Sequence, residues 1–310
     1  MPLDPQAQTF LVQNAGTDFS VVKTMPLDQS RNMHVESVIN YHRVLEPVAQ
    51  VKDIEIPGPY GLIPIRIYIP DGKNSFPLLL WFHGGGWVWG NLETADEACR
   101  VIANKANCIV VSVDYRLAPE HTFPIAIEEA YAAIKWAYEN ASEVHGDPSR
   151  IAVGGDSAGG NLAAVASMMA RDRNGPKIIY QLLVYPVIDS RLSTESFQHF
   201  ENGYSLTKEK MKWFWEQYAP GIADQQHPYA APVFAGNLRN LPPALVITAE
   251  FDPLRDEGEA YANMLKEAGV SARCIRFDGM IHGFFTRVAA FDQAMRAIEE
   301  AAQELHKVFQ

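Results

Sequence analysis

The chain has 310 residues, of which 47% are hydrophobic and 20% charged, and its formal net charge at pH 7 is −11. This composition is typical of a globular protein long enough for one large α/β domain or two smaller ones. Nucleic acids and anionic membrane surfaces are bound by basic patches, so the acidic balance argues against both as partners.

The N-terminus has none of the features of a signal peptide, because Met-Pro-Leu-Asp-Pro lacks a basic region and the following stretch is too polar. No apolar run approaches about 18 residues, so no membrane span is predicted. The three cysteines (Cys99, Cys108 and Cys274) are odd in number and unpatterned, which favours reduced, buried thiols. We therefore predict a cytoplasmic protein. The scattered histidines give no support for a metal site.

The first fifty residues are predicted to be helical and to pack on the outside of the sheet that follows. Asp4 with Pro5, and Asp28, are typical of helix starts, and apolar residues recur at helical spacing after each of them. From residue 50 to residue 70 the pattern changes to β-branched alternation on either side of Pro-Gly-Pro-Tyr-Gly. This pattern predicts an antiparallel, hairpin-like pair of strands.

Residues 76–82 form a continuous apolar run, which is typical of a strand buried on both faces. The run ends in His83, three glycines and Trp87. Successive glycines can present backbone N–H groups to an anion with no side chain in the way, as an oxyanion hole requires. A simple glycine turn is one alternative. A phosphate-binding loop is another, although the lysine of the phosphate-binding pattern is missing.

Strand and helix then alternate towards the C-terminus, which indicates a mostly parallel sheet. Strands are predicted at 109–113, 178–184, 244–249 and 271–277, and helices at 94–105, 125–139, 256–268 and 291–308. The alternation stops between residues 189 and 226. There Thr207 begins a predicted helix with an apolar stripe of Met211, Phe214, Trp215 and Tyr218. The stripe is interpreted as packing or, in part, as the wall of a pocket under a lid.

Residues 155–159 read Gly-Asp-Ser-Ala-Gly and lie between a predicted strand and a predicted helix. They fit the Gly-x-Ser-x-Gly nucleophile elbow, in which a strained turn lifts the serine oxygen above the sheet edge. Ser157 is therefore the candidate nucleophile. The pattern alone is weak evidence, so the rest of the chain has to support it.

A serine hydroxyl is a poor nucleophile at neutral pH and needs a histidine base oriented by a carboxylate. Asp252 and His282 each follow a late predicted strand, in the order Ser, acid, His that α/β-hydrolases use. Asp256 is instead expected to cap the following helix. Asp278 is too close in sequence to His282 to approach it from a separate loop.

Five motifs in order resemble those of the hormone-sensitive-lipase-like carboxylesterases. They are residues 83–87 (HGGGW), 114–120 (DYRLAPE), 155–161 (GDSAGGN), 252–256 (DPLRD) and 281–284 (IHGF). The match extends from about residue 50 to the C-terminus. The resemblance implies an α/β-hydrolase fold with a mostly parallel sheet of about eight strands and a helical cap. It also implies hydrolysis of short- to medium-chain acyl esters without a cofactor.

The resemblance also implies roles for individual residues. The triad would be Ser157, Asp252 and His282, and the oxyanion hole would be the N–H groups of Gly84, Gly85 and Ala158. His83 and Asp156 would support the site, and Asp114, Arg116 and Glu120 would form a charged network that steadies nearby loops. Three aromatic residues are predicted to contact the substrate: Trp87, Phe214 and Phe284.

We expect a catalytic core of residues 46–188 and 227–310, with a cap of residues 1–45 and 189–226. The expected partner is a small-molecule ester, and a homodimer is left open. An amidase or a lipase could use the same triad, because a fold does not settle the substrate. A non-catalytic ligand receptor on the same fold, like the plant gibberellin receptors, is disfavoured by the intact His282.

Overall fold

The computed structural model describes residues 2–15, 18–72 and 75–310, and eight strands within these ranges form one sheet. The strands are β1 (Gln50–Gly58), β2 (Gly61–Ile69), β3 (Phe76–Phe82), β4 (Ile109–Val113), β5 (Gly146–Asp156), β6 (Ile178–Val184), β7 (Ala244–Phe251) and β8 (Ala272–Ile281). Their order across the sheet is β1-β2-β4-β3-β5-β6-β7-β8.

One strand runs against all the others. β2 is antiparallel both to β1 and to β4, and every remaining pair is parallel. The predictions of an antiparallel N-terminal pair and of a mostly parallel sheet of about eight strands are therefore confirmed. Because the strands from β3 onward are parallel, their carboxyl ends meet at one edge, where ligands bind in open α/β sheets.

The described residues form eleven α-helices. They are α1 (Pro5–Gln13), α2 (Phe19–Val22), α3 (Leu27–Ile39), α4 (Leu92–Ala106), α5 (Ile125–Glu139), α6 (Ala158–Asp172), α7 (Glu195–His199), α8 (Lys208–Tyr218), α9 (Ile222–Gln225), α10 (Arg255–Glu267) and α11 (Asp292–Val308). Among the described ranges, none of these helices is both long and apolar enough to cross a bilayer.

The sheet has a separate apolar layer on each face. Alternate side chains of β3 divide between them: Leu78 and Leu80 pack on the side of α5, α6 and α10, whereas Leu79 and Trp81 pack on the side of α4 and α11. All seven residues of β3 are buried, as the continuous apolar run predicted. The central strands are therefore held from both sides, which fixes the loops at their carboxyl ends.

Three of the predicted helix starts can be compared with the structure. Asp4 caps α1 with Pro5 as the first helical residue, and Thr207 caps α8 through a hydrogen bond from the Lys210 N–H, as expected. The prediction for Asp28 is wrong by two residues: Pro26 is the N-cap of α3, and Asp28 lies in the first turn. An aspartate is favourable at either place because both are near the positive end of the helix dipole.

Two helical segments lie beside one another over the sheet edge. The described residues of 2–45 and 189–226 contain no strand. They meet where the Phe19 ring packs edge-on against the Trp213 ring, with centroids 5.7 Å apart, and where Lys23 pairs with Glu209. We refer to these two segments together as the cover of the sheet edge.

Candidate active site

Ser157 lies in the turn between β5 and α6, with φ 57° and ψ −118°. Positive φ is costly for a residue with a side chain, so the surrounding structure has to enforce it. One restraint is the Ser157 N–H, which donates to the Val184 carbonyl oxygen at 2.9 Å. Gly155 and Gly159 provide the other: a Cβ at either would overlap the backbone of Phe82 at the end of β3. The flanking glycines are therefore needed for close approach.

A hydrogen-bonded chain of three side chains starts at this serine. The distance from Ser157 Oγ to His282 Nε2 is 3.0 Å, and that from His282 Nδ1 to Asp252 Oδ2 is 2.7 Å. A carboxylate oxygen can only accept, so Nδ1 carries the proton and Nε2 is free to accept from the serine hydroxyl. The structure thus brings together the three residues that the sequence predicted as a triad.

The Asp252 carboxylate is fully buried and both of its oxygens are used. Oδ1 accepts the Leu254 N–H at 2.9 Å, while Oδ2 faces His282. The cover braces this loop, since the Ser196 hydroxyl of α7 donates to the Pro253 carbonyl oxygen at 2.6 Å. Asp256 does not cap α10 as predicted; it lies in the first turn of that helix, and its carboxylate accepts the Ser196 N–H.

The glycine loop after β3 faces Ser157. Its first amide is already engaged, because the Gly84 N–H donates to Asp156 Oδ1 at 3.0 Å. Gly85 has φ +115°, and a Cβ there would overlap the carbonyl of Trp89. Within the ranges that the structure describes, the N–H groups of Gly85, Gly86 and Ala158 have no acceptor. These three amides are therefore available to a bound anion.

The two predicted supporting residues hold the glycine loop. The His83 ring is buried and stacked on the Tyr115 ring, with centroids 4.4 Å apart, and its Nδ1 lies 2.8 Å from the Gly84 carbonyl oxygen. Burial lowers the pKa of His83 to about 4, so His83 is neutral at pH 7 and donates from Nδ1. Burial raises the pKa of Asp156 to about 6, against the opposing effects of His282 and of the Gly84 N–H.

A cavity of about 580 Å³ opens above Ser157. Phe214 of the predicted aromatic stripe lines it, and the ring lies directly against Gly86. Trp87 and Phe284 do not line it, which corrects the prediction that they contact the substrate. Trp87 is fully buried and stacked on Tyr218 at 4.2 Å, and Phe284 is fully buried in the core under the site.

Sequence reasoning missed several residues that position the site. The Tyr185 ring packs against the His282 ring, with centroids 4.5 Å apart. Asn161 donates from Nδ2 to two carbonyl oxygens, those of Val187 and Ala230, and so ties the elbow helix to both ends of the inserted segment. The Gly-Gly-Asn extension of the serine motif was the available signal for Asn161. No local pattern marked Tyr185.

The three charged residues of the Asp-Tyr-Arg-Leu-Ala-Pro-Glu motif do not form one network, contrary to prediction. Arg116 pairs with Glu129 on α5. Glu120 pairs with Arg31 on α3. Asp114 Oδ1 lies 3.7 Å from His83 Nε2. Each pairing ties this loop to one neighbour, and the link from Glu120 to Arg31 reaches the cover.

The sheet order, the strained serine turn and the hydrogen-bonded Ser-His-Asp chain together define an α/β hydrolase. A family model described as the alpha/beta hydrolase fold matches residues 79–286. The chain belongs to this family, and its resemblance to the hormone-sensitive-lipase-like group is confirmed.

This chain is similar in sequence or structure to three known proteins. The carboxylic ester hydrolase LipN of Mycobacterium tuberculosis is 48% identical over 76% of this chain and 64% of its own length, so the match spans just under two thirds of that relative. The carboxylesterase NlhH of the same organism is 44% identical over 79% of each chain. The solved structure of a hyperthermophilic esterase from the archaeon Pyrobaculum calidifontis superimposes with a TM-score of 0.94 and 43% identity over 99% of each chain.

Proposed function

We propose that this protein is a carboxylesterase that hydrolyses short- to medium-chain acyl esters through an acyl-enzyme on Ser157. The observation that carries the proposal is the hydrogen-bonded chain from Ser157 through His282 to the buried Asp252, at the floor of a cavity. The esterases among its relatives, with 44–48% identity, support the same reaction class.

In the first step, His282 Nε2 takes the hydroxyl proton while Ser157 Oγ attacks the ester carbonyl carbon. Asp252 holds the ring in the required tautomer and stabilises the imidazolium that forms. His282 then returns the proton to the departing alkoxide, which leaves as the alcohol. In the second step, water gives a proton to His282 and attacks the acyl-enzyme carbonyl. His282 then gives this proton to Ser157 Oγ as the bond to the acyl group breaks, which releases the acid and restores the free serine.

The negative charge on the carbonyl oxygen needs donors already in place. We propose that the amides of Gly85, Gly86 and Ala158 supply them, and that Gly84 does not, because its N–H is bonded to Asp156. This revises the predicted set. Removing one oxyanion donor costs about 10²–10³ in kcat in other enzymes, so the loop geometry has a large effect on rate.

The proposed cap consists of residues 1–45 and 189–226, and the proposed core of residues 46–188 and 227–310. Support comes from the cavity walls: α1, α2, α3 and α8 all contribute to them, above a floor made by the sheet-edge loops. A volume of about 580 Å³ is in the range of sites for small organic ligands, which suits a short or medium acyl chain. The homodimer and the cytoplasmic location stay predictions.

The direct test is turnover of p-nitrophenyl esters of increasing acyl length by the purified protein, with the matching p-nitroanilides as the amide comparison. We expect turnover of the butyrate ester and a decline for long acyl chains. Hydrolysis of the anilides at comparable kcat/KM would favour an amidase, and a preference for long, aggregated esters would favour a lipase. Binding without turnover of any ester would indicate a receptor.

A further inference from the structure

Two cationic side chains line the cavity above the candidate nucleophile: Lys210 on α8 and Arg287 after the histidine loop. Lys210 Nζ donates to the Ser205 carbonyl oxygen at 2.7 Å. Arg287 donates from Nε to the Ser37 carbonyl oxygen at 3.2 Å and from Nη1 to that of Gly283 at 2.8 Å. All three acceptors are backbone carbonyls. Across the three described ranges, no carboxylate lies within ion-pair distance of either cation.

The acidic residues in the cavity wall are committed elsewhere. Asp18 caps α2 and is exposed, Asp156 accepts the Gly84 N–H, and Glu209 pairs with Lys23. None of them neutralises the two cations at short range. Asp156 and Arg287 attract each other without forming an ion pair. Among the described residues, the cavity therefore contains two cations without an ion-pair partner. One of them is close to the catalytic floor, because Arg287 is bonded to the residue that directly follows the catalytic histidine.

The two cations share one partly desolvated space. Burial lowers the pKa of Lys210, and the charge on Arg287 lowers it further. His34, which also lines the cavity, has its pKa lowered to about 3, mainly by burial and then by Arg287. His34 is therefore neutral at pH 7. Holding two cations in such a place without an ion-pair partner is unfavourable, and an anion bound in contact with them would relieve that cost.

We infer that the esters for which this site is built carry a free carboxylate, in the acid or in the alcohol part, and that Lys210 and Arg287 bind it. The inference rests on the proposed esterase function and adds a substrate class to it. A guanidinium and an ammonium are the usual partners of a carboxylate, and their charge-assisted hydrogen bonds are stronger than neutral ones. A purely apolar ester would leave both cations unpaired.

The test compares two pairs of esters that differ only in the charge of one group. Mono-p-nitrophenyl adipate and its half-amide place the carboxylate or carboxamide in the acyl part. p-Carboxyphenyl butyrate and p-carbamoylphenyl butyrate place it in the alcohol part. For each pair, the ratio of kcat/KM for the carboxylate ester to that for the carboxamide ester is measured at pH 7.5, after subtraction of spontaneous hydrolysis.

We expect the wild-type ratio to be about ten in one of the two pairs. The pair with this ratio identifies the side of the ester that carries the charge. Lys210→Met and Arg287→Met should each lower that ratio about tenfold. Arg287→Lys should keep most of it, because the charge is retained. The matched control is Lys212→Met on the same helix, an exposed lysine 3.9 Å from Glu216 and outside the cavity wall. Its ratio should equal that of the wild type.

Wild-type ratios at or below one in both pairs would overturn the inference, and so would ratios that neither methionine variant changes. The wild-type ratios are measured on the unmodified protein. They therefore test the inference even if a methionine variant does not fold. If the carboxamide esters are hydrolysed well and the carboxylate esters are not preferred, only this inference fails. If none of the four esters nor p-nitrophenyl butyrate is hydrolysed, the proposed function fails as well.

Discussion

The sheet edge and the cover above it are built in different ways. Ser157 and Asp252 at the edge are at most 7% exposed. The Ser157 N–H donates to the Val184 carbonyl oxygen, and the Asp252 carboxylate accepts the Leu254 N–H, so both loops are fixed. The cover leaves large apolar side chains in solvent, with Val12 72% and Ile222 73% exposed. Its two segments meet through ring contacts and an exposed ion pair.

This difference suggests that the sheet edge determines the rate of the reaction and that the cover determines which substrate is preferred. Exposed ion pairs contribute about 0–1 kcal/mol, and segments with few buried contacts open at low free energy. We expect the contact between the two segments to adapt to a substrate, whereas the buried faces of helices such as α8 stay packed on the core and the edge keeps its geometry. On this account, substitutions at the edge reduce kcat by orders of magnitude, whereas substitutions in the cover change which ester is preferred.

The largest effect is expected for Ser157→Ala. The loss of kcat should be on the order of 10⁶, as for the nucleophile of subtilisin, because no acyl-enzyme can form. The melting temperature should hardly change, since one hydroxyl is removed. The control is Ser149→Ala at the opposite end of β5, where the hydroxyl is exposed and donates to Asp147. Substantial turnover by folded Ser157→Ala would exclude this serine as the nucleophile.

Asp252→Asn should reduce kcat by about 10⁴, by analogy with the same change in a serine protease. The amide would favour the wrong histidine tautomer while it preserves the shape of the loop. Asp256→Asn is the matched control, because this carboxylate contacts Ser196 of the cover and not the histidine. Equal losses of kcat in the two variants would contradict the assignment of the acid.

Gly85→Ala should reduce kcat about 10²–10³-fold with a smaller change in KM, because the displaced amides act mainly in the transition state. A Cβ at this position would overlap the Trp89 carbonyl. Gly269→Ala is the control for backbone strain alone: Gly269 also has positive φ, but a Cβ there would meet nothing within 4 Å beyond its chain neighbours. A loss of stability with unchanged kcat would make the loop a simple turn.

Some features of the site could be predicted from the sequence, and others depend on contacts between distant parts of the chain. The serine elbow was predictable because the glycines, the serine and the strand-to-helix change are adjacent in the chain. The engagement of Gly84 was not, since it depends on the pairing of β3 with β5, which brings Asp156 to a loop 72 residues earlier. The burial of Trp87 depends similarly on Tyr218 of the cover. Lys210 carries no local signal that separates it from a surface lysine.

In the cover, Phe214→Ala should raise the ratio of kcat/KM for the octanoate ester to kcat/KM for the butyrate ester by roughly tenfold. The reason is that loss of the ring from the apolar wall enlarges the cavity. Met211→Ala is the control on the same helix: it removes a buried side chain outside the cavity wall. Both variants should lose stability, but only Phe214→Ala should change the ratio. An unchanged ratio in both would show that the cover does not limit acyl length.

The smallest effect concerns stability at the edge. The pKa of Asp156 is about 6 in the folded protein, above its ordinary value of 3.8, so ionisation at high pH opposes folding. Asp156→Asn removes this cost and can still accept the Gly84 N–H. At pH 8 the free energy of unfolding of the variant should exceed that of the wild type by at most about 3 kcal/mol, which is seen as a higher melting temperature. The difference should vanish as the pH falls towards 4.

The control for this effect is Asp147→Asn. In the wild type, hydrogen bonds from Ser149 and then from the Arg150 side chain lower the pKa of the Asp147 carboxylate. Here the sign is opposite, so the variant should be less stable than the wild type at pH 8. Destabilisation by both substitutions at pH 8 would mean that the Asp156 charge is compensated in the folded protein.

The central claim, that the serine of the sheet edge is the group that becomes acylated, is tested most directly by covalent labelling with diethyl p-nitrophenyl phosphate, followed by mass spectrometry of the intact protein and its peptides. We predict one diethylphosphoryl group per chain, located on Ser157, with loss of esterase activity in proportion to labelling and no labelling of Ser157→Ala. Labelling of Ser157→Ala at the wild-type rate, or inactivation with the label on another residue, would contradict the account.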